Sequence, residues 1–536
     1  MNAPYPPVLD EAYRSSTFWD LVVRRAEQTP GKVMVVDEQD RSLTFAEYRS
    51  SAEQVAAGLY ALGVREGTVV TWQLPTSIEA MVLMAALSRL GAVQNPVLPI
   101  LREREVTFIT RQLRTQLLIV PGFWRGFDYP DMARAVALAT GCRCYVSEPP
   151  AGRNGSASLA LPVGDVATLP PPPAIPPVEH PVRWVYYTSG TTADPKGVKH
   201  TDRSAIATSV HLLCGLALGA DDVTLLVSPI THVGGIMTLA TQLLTAFRLV
   251  VMRAFDARET PRLAARHGLT VLRAAVPVAR AFLDAQREHG SEPMFPGLRA
   301  CQCGGASRPI ELHHAIRRTF GLRGTLSSYG MTECPGVTAI SPSDTSENIA
   351  ETSGKLTPRA EMRVVGANGD PVPNGVEGEL LVRGPQLFSG YVDETLNENA
   401  FDRDGFFRSG DLGTIDDGGY VRVSGRIKDV IIRNGENISA LEIENVLSAH
   451  PDIVDVAVIG LPNERTGEHC CAVVQLAAGA TTLTLAEVAR FCTTAGIAKQ
   501  KIPEQLELAE VPRNSMGKID KKRLRERFGG VPAPTA

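Results

Sequence analysis

The chain has 536 residues and a mass of 57.6 kDa, enough for three or four structural units at about 150 residues each. With 44% hydrophobic and 21% charged residues it reads as an ordinary globular chain, which excludes bulk disorder and collagen-like repeats. Lys and Arg number 54 against 58 Asp and Glu, a net charge of −4 with no long block of one sign, so the basic footprint of a nucleic-acid binder is absent.

The amino terminus, MNAPYPPVLDEAYR, has no basic region followed by an apolar run. No secretory signal is expected, and the expected location is the cytoplasm. Residues 44–62 carry Tyr48, Val55, Leu59 and Leu62 at helical spacing and predict an amphipathic helix. Residues 69–74 read as a short buried strand, 78–90 as a second helix and 117–120 as another strand. Strands alternating with helices predict a mostly parallel sheet with helices packed on it. The proline cluster at 170–177 is stiff and cannot enter a sheet interior, so it reads as a surface connector. The alternation resumes over 182–338. Within it, residues 223–247 lack Lys, Arg, Asp and Glu and are long enough to span a bilayer. Pro229, His232, Gly234 and Gly235 interrupt that run, so a buried strand, loop and helix are expected instead.

From about residue 355 the texture changes. Short alternating segments at 362–365 and 379–382 are separated by Asn368-Gly369, Asn374-Gly375 and Asp417-Gly418-Gly419, which are hairpin signals. They predict a small antiparallel β unit ending near Ser424. A separate α+β domain follows. Ser439 and Glu442 have capping-box spacing and open a helix through Ala449. Strands are expected at 454–459 and 470–476, and a charged helix at 520–528. The nine cysteines include no C-x-x-C pair, and free thiols are expected.

The strongest local signal is an apolar strand, WVYY at 184–187, running into TSGTTADPKG at 188–197. Glycine lets backbone approach a polyphosphate, hydroxyls and N–H groups donate to its oxygens, and Lys196 adds a point charge. A Walker A loop fails, because Pro195 precedes Lys196 and Gly197 follows it. Taken alone, the segment could equally be a flexible polar loop.

Further motifs stand in order along the chain: SYGMTE at 328–333, GELLVRG at 378–384, RSGDL at 408–412, GRIKD at 425–429 and NSMGK at 514–518. Together with YTSGTTADPKGV at 187–198, they resemble the signatures of the adenylate-forming superfamily. That superfamily comprises acyl- and aryl-CoA synthetases, nonribosomal-peptide adenylation domains and firefly luciferases. The resemblance covers nearly the whole chain. It implies a mixed α/β and β fold: a large N-terminal domain of two α/β subdomains plus a small β-barrel at about 340–424, spanning 1–427. A small mobile α+β C-terminal domain would span 428–536.

The resemblance also implies residue roles. Thr188, Ser189, Gly190, Thr191, Thr192 and Lys196 would hold the β- and γ-phosphates of ATP. Gly304, Gly305, Ala306 and Tyr329 would flank adenine, with Gly330 and Met331 in the same nucleotide site. Thr332 would contact the α-phosphate, Glu333 would hold Mg²⁺, and Asp411 and Arg426 would bind the ribose region. Lys518 would bridge the attacking carboxylate and the α-phosphate. Lys428 would be the hinge that swaps the Lys518 loop for a CoA-side face carrying Arg433 and Gly435. Read singly, Asp411 is a turn residue, Glu333 a helix cap and Lys518 part of a solvated basic tail; their joint order argues otherwise. Ala193, Ala440 and Asn514-Ser515 depart from the commoner pattern without removing a charged group.

The implied activity is ATP-dependent acyl-CoA synthesis through acyl-AMP, with CoA as second substrate. His232 would stand beside the carboxylate, unless it is simply a satisfied core histidine. Val233, Ile236, Met237, Val337 and Ile340 would line an apolar acyl pocket. WQLP at 72–75, NPVLPILRERE at 95–105 and RGFDY at 125–129 resemble the cyclohexanecarboxylate and medium-chain branch of CoA ligases, as used in fatty acid metabolism. A short, medium or alicyclic acid is expected. A carrier-protein phosphopantetheine is the alternative acceptor, a non-catalytic acyl-adenylate sensor a further one, and a luciferase-like oxygenase a remote third. Neither nucleic acid nor a membrane span is expected, and homodimerisation stays open.

Overall fold

The computed structural model describes residues 7–147, 159–174, 180–188, 195–304, 310–477, 479–480, 482–513 and 518–529. Two largely parallel sheets make up most of the N-terminal domain. The first has seven strands in the order Thr325–Leu326, Ala300–Cys303, Val271–Ala274, Val223–Leu226, Arg248–Val251, Val33–Asp37 and Ser42–Thr44. Only its last pair is antiparallel. The second has six strands: Lys196–Thr201, Val182–Thr188, Val93–Pro96, Val69–Trp72, Leu117–Pro121 and Arg143–Ser147. Here only the first pair is antiparallel.

The sheets do not follow chain order: Val33–Asp37 crosses to the first sheet, whose other parallel strands all lie beyond residue 222. One apolar core serves both. It joins Val35 and Leu249 of the first sheet to Val70, Trp72 and Trp184 of the second, with Phe18, Tyr48, Leu83 and Leu239 from helices. The helix predicted over 44–62 is Phe45–Ala61, opened by a full capping box between Thr44 and Glu47. Residues 223–247 form the strand Val223–Leu226 and the helix Val233–Thr245. Among the described residues no helix is long and apolar enough to cross a membrane. The described cysteines are all free.

The connector ahead of the second half docks closely. Gly164 N–H donates to Gln54 O at 3.0 Å. A Cβ on Gly58 would stand 2.4 Å from the Pro162 carbonyl, so only glycine lets this backbone lie on the helix. Residues 170–174 run without regular structure, and the rest of the proline cluster lies outside the described residues.

The β unit is an antiparallel sheet of Glu361–Val365, Gly378–Arg383, Phe407–Ile415 and Val421–Arg426. A barrel was expected here. The pairing runs as an open sheet, continued by a Lys355–Tyr420 bridge to the two-stranded pair Thr338–Ala339 and Lys355–Leu356.

The smaller C-terminal domain is a five-stranded sheet in the order Glu436–Ser439, Val430–Arg433, Gly467–Leu476, Ile453–Asn463, with Gln505–Leu508 beside Gly467–Leu476. Its own core includes Ile431, Ile443, Val458 and Val488. Ser439 caps the helix Ala440–Leu447 by accepting from Glu442 N–H at 3.3 Å. The capping box is only half made, because the Glu442 carboxylate takes Lys501 Nζ at 2.7 Å instead. The domain touches the rest through Arg280 Nη1 to Val454 O at 2.9 Å and Ser439 Oγ to Ser424 O at 2.6 Å.

Candidate active site

Ligands of open α/β sheets sit beyond the carboxyl ends of the parallel strands. Both sheets send their signature residues there. Thr188 ends Val182–Thr188, Gly304 follows Ala300–Cys303, Ser328 follows Thr325–Leu326, and the loop to His232 follows Val223–Leu226. A small cavity at this edge is lined by Leu98, Tyr187, Thr231, His232 and Thr332, among others.

Thr188 and Lys196 are Cα partners on neighbouring antiparallel strands. Lys196 Nζ lies 5.4 Å from the centroid of the Tyr391 ring, within cation–π reach. Tyr391 Oη also donates to Glu333 Oε1 at 2.8 Å, so one tyrosine ties the lysine to the carboxylate. Thr332 is held through its backbone: His200 Nε2–H donates to its carbonyl at 2.8 Å, which leaves Nδ1 facing the Ser204 hydroxyl at 3.1 Å. Burial lowers the His200 pKa to about 4, so the ring is neutral. Met331 and Cys334 exchange backbone hydrogen bonds, and Gly330 is compelled by packing, since a Cβ would stand 2.4 Å from Gly336 N.

Asp411 is not a turn residue. It lies within Phe407–Ile415, is 5% exposed, and pairs across the sheet with Arg426. Arg426 Nε meets Asp411 Oδ1 at 2.8 Å, and Tyr329 Oη donates to Oδ2 at 2.8 Å. Burial, then the Asp411 charge, pushes the Tyr329 phenol well above its ordinary value, so the hydroxyl stays a donor.

Lys518 comes to this cluster from the C-terminal domain. Surrounding protein lowers its pKa by desolvation first and by the Arg426 charge next, while Asp411 and Glu333 act in the opposite direction. Lys428, in the short 3₁₀ turn Ile427–Asp429, feels desolvation, then the charges of Arg426, Asp429, Asp411 and Lys196. Three carboxylates and four cations therefore gather from five chain segments.

His232 caps the Val233–Thr245 helix: its Nδ1 accepts from Gly234 N–H at 3.2 Å. Burial, then the Lys518 charge, lowers its pKa to about 4. It is thus a satisfied histidine and a wall of the site at once. The expected acyl lining is arranged differently. Val233 and Ile236 are 5% and 0% exposed and packed in the large core with Ile340, and Val337 is packed against the β unit. Apart from Thr245 at its end, the partly open positions of the helix are Gly234 and Met237.

Arg433 and Gly435 are not brought to the Lys518 cluster. Asn434 and Gly435, with φ of 52° and 78°, turn the hairpin between Val430–Arg433 and Glu436–Ser439, and Arg433 forks onto Glu504 at 2.8 and 2.9 Å. Ser189, Gly190, Thr191, Thr192, Gly305 and Ala306 lie outside the described residues. Sequence reasoning missed Tyr391 and His200, which act through strands remote in sequence from their partners.

The AMP-binding enzyme family profile matches residues 22–392, and that of the AMP-binding enzyme C-terminal domain matches 442–518. The chain belongs to the AMP-binding enzyme family. It is 36% identical to a salicyl-AMP ligase / salicyl-S-ArCP synthetase of Mycobacterium tuberculosis over 99% of this chain and 95% of that one. It is 31% identical to the medium-chain fatty-acid–CoA ligase of Escherichia coli over 96% and 92%. The crystal structure of ATP-bound MatB from Rhodopseudomonas palustris superposes with a TM-score of 0.82 at 27% identity, covering 96% of this chain and 99% of that one.

Proposed function

We propose that this chain is an ATP-dependent acid–thiol ligase that makes acyl-CoA through an acyl-adenylate. A substrate carboxylate oxygen attacks the α-phosphorus of ATP, the bond to the bridging oxygen breaks, and pyrophosphate leaves. The CoA thiol then attacks the acyl carbonyl carbon, loses its proton to solvent and expels AMP. The observation that carries this reading is the convergence of Lys518 with Arg426, Asp411 and Glu333 at the strand ends of an AMP-binding enzyme.

The first step presses a carboxylate against a phosphate, so fixed positive charge there lowers the barrier. Lys518 supplies it between the two anions. Thr188 and Lys196 bind the outer phosphates, and Thr332 contacts the α-phosphate through a segment that His200 holds rigid. Asp411 accepts from the ribose hydroxyls, with Arg426 and Tyr329 fixing the carboxylate. Glu333 suits Mg²⁺: Tyr391 takes one of its two oxygens, and no cluster of three His, Cys, Asp or Glu side chains competes among the described residues. One carboxylate plus substrate phosphates is how this ion is commonly held. When bound, it would supply further positive charge to the phosphate chain.

The 36% identity to a salicyl-S-ArCP synthetase favours a second acceptor, the phosphopantetheine arm of a carrier protein. Pyrophosphate release over a panel of short, medium-chain, alicyclic and aryl acids tests the first step. Thioester formation with CoA and with a phosphopantetheinylated carrier separates the acceptors. Release of pyrophosphate with no acid of the panel overturns the ligase reading.

A further inference from the structure

Arg273 is a charged residue at this edge that the mechanism above does not use. It stands near the end of Val271–Ala274, one of the parallel strands whose carboxyl ends face the site. Its Nη1 donates to Thr238 Oγ1 at 2.7 Å and its Nε to Gln302 Oε1 at 3.4 Å. Both partners are neutral. Burial alone lowers its pKa, to about 10, and no carboxylate among the described residues counters that effect. The guanidinium is still protonated at neutral pH, and a cation withdrawn from water without a counter-charge is costly.

The residue is nonetheless only partly buried. It is partly open although its neighbours Leu272, Thr238 and Gln302 are buried, at 0%, 0% and 8% exposed. Its anchor, Thr238, belongs to the Val233–Thr245 helix, along which Gly234 and Met237 are the partly open positions near Thr238. A Cβ on Gly234 would meet nothing closer than His232 Nδ1 at 3.4 Å, so there is room at that wall. About 9 Å of helix axis separates His232 at the mouth from Thr238, where the arginine is anchored.

We propose that Arg273 is the specificity residue of the acyl site, selecting compact carboxylic acids that carry a second oxygen acceptor at the end remote from the reacting carboxylate. The assignment rests on the ligase reading. Arginine presents five N–H donors, of which the two bonds above use two. The remaining donors match an oxygen acceptor, and best a second carboxylate, which they can grip at two points. An acid ending in a bare methyl group would shut those donors away unpaired, and sites built to bond a polar group reject analogues that lack it. The helix span suits an acid of about six to eight carbons or one ring with a para substituent. The expectation of a purely apolar lining changes accordingly.

The test is pyrophosphate release by the full chain with matched acids: hexanoate against adipate, and 4-methylbenzoate against 4-hydroxybenzoate. The wild type should favour the oxygen-bearing member of at least one pair tenfold or more in kcat/KM. Arg273→Met should cut that ratio at least tenfold, and Arg273→Lys should keep part of it. A wild type that prefers the apolar member of both pairs, or an unchanged ratio in Arg273→Met, overturns the assignment. If Arg273→Met does not fold, the wild-type ratios and Arg273→Lys decide. Pyrophosphate with apolar acids alone sinks only the role of Arg273, whereas no pyrophosphate with any acid sinks the ligase reading with it.

Discussion

Lys518 reaches the nucleotide side of the site from the far end of the chain, among Arg426, Asp411 and Glu333. If its charge acts only while two anions are pressed together, Lys518→Ala should lose pyrophosphate release by several orders of magnitude. Supplied acyl-AMP and CoA should still give thioester at near the wild-type rate. Equal loss in both half-reactions would show that the lysine serves both. The histidines give a second residue-scale prediction. His200 and His211 are 0% and 3% exposed, and burial lowers both pKa values to about 4. The unfolded chain binds their protons near pH 6.5, the folded chain only near 4, so stability falls as pH falls through that window. Each imidazole costs about 1.4 kcal/mol per pH unit there. Melting temperature should drop between pH 6.5 and 5, and His211→Gln should shrink the drop; an unchanged slope would place the proton uptake elsewhere. At this scale the sequence was informative about charged residues in ordered motifs: Asp411, Arg426, Glu333 and Lys518, picked from separate motifs, come together in the fold. It could not reveal Tyr391 or His200, whose roles come from contacts across strands, nor that Ile236 faces the core while Gly234 and Met237 stay open.

Helices were legible where the pattern was local. Thr44 and Glu47 mark the start of Phe45–Ala61 by a box that needs only four residues. The box at Ser439 was half wrong, because Lys501 captures Glu442 from a distant turn. The docking of the 162–164 backbone on Gly58 was invisible, since a glycine within a helix signals only weakness. It yields a clear contest. Gly58→Ala should gain about 1 kcal/mol of helix propensity. It must also displace Pro162 and Val163, at a cost of about 1–3 kcal/mol for overpacking. Collision should win, so the melting temperature should fall. A rise would mean that the connector yields freely.

For the molecule as a whole, we propose that the orientation of the C-terminal domain decides which half-reaction can proceed. Lys428 sits in a 3₁₀ turn, whose φ range a proline ring tolerates. Lys428→Pro should therefore hold the arrangement that presents Lys518 and resist the proposed rotation. In a single-turnover assay acyl-AMP should form and persist while acyl-CoA appears far more slowly. Wild-type thioester formation would move the pivot elsewhere in 425–430. The parallel sheets were foreseen from alternating periodicity, but their membership was not, because pairing between remote strands leaves no local trace.

That membership bears on how the chain is made. Val36 pairs with Val250, so the first strand leaves the ribosome long before its partner exists. Until residue 251 emerges, Val33–Asp37 has Ser42–Thr44 on one side and an unpaired apolar edge on the other, and such edges template aggregation. Closing so long a loop is slow, which lengthens the exposure. Nascent chains stopped near residue 220 should therefore be insoluble or chaperone-bound, whereas chains released after the Thr325–Leu326 strand should separate into the soluble fraction. The order of synthesis, and not the stability of the finished sheet, then sets the period of greatest risk for this protein.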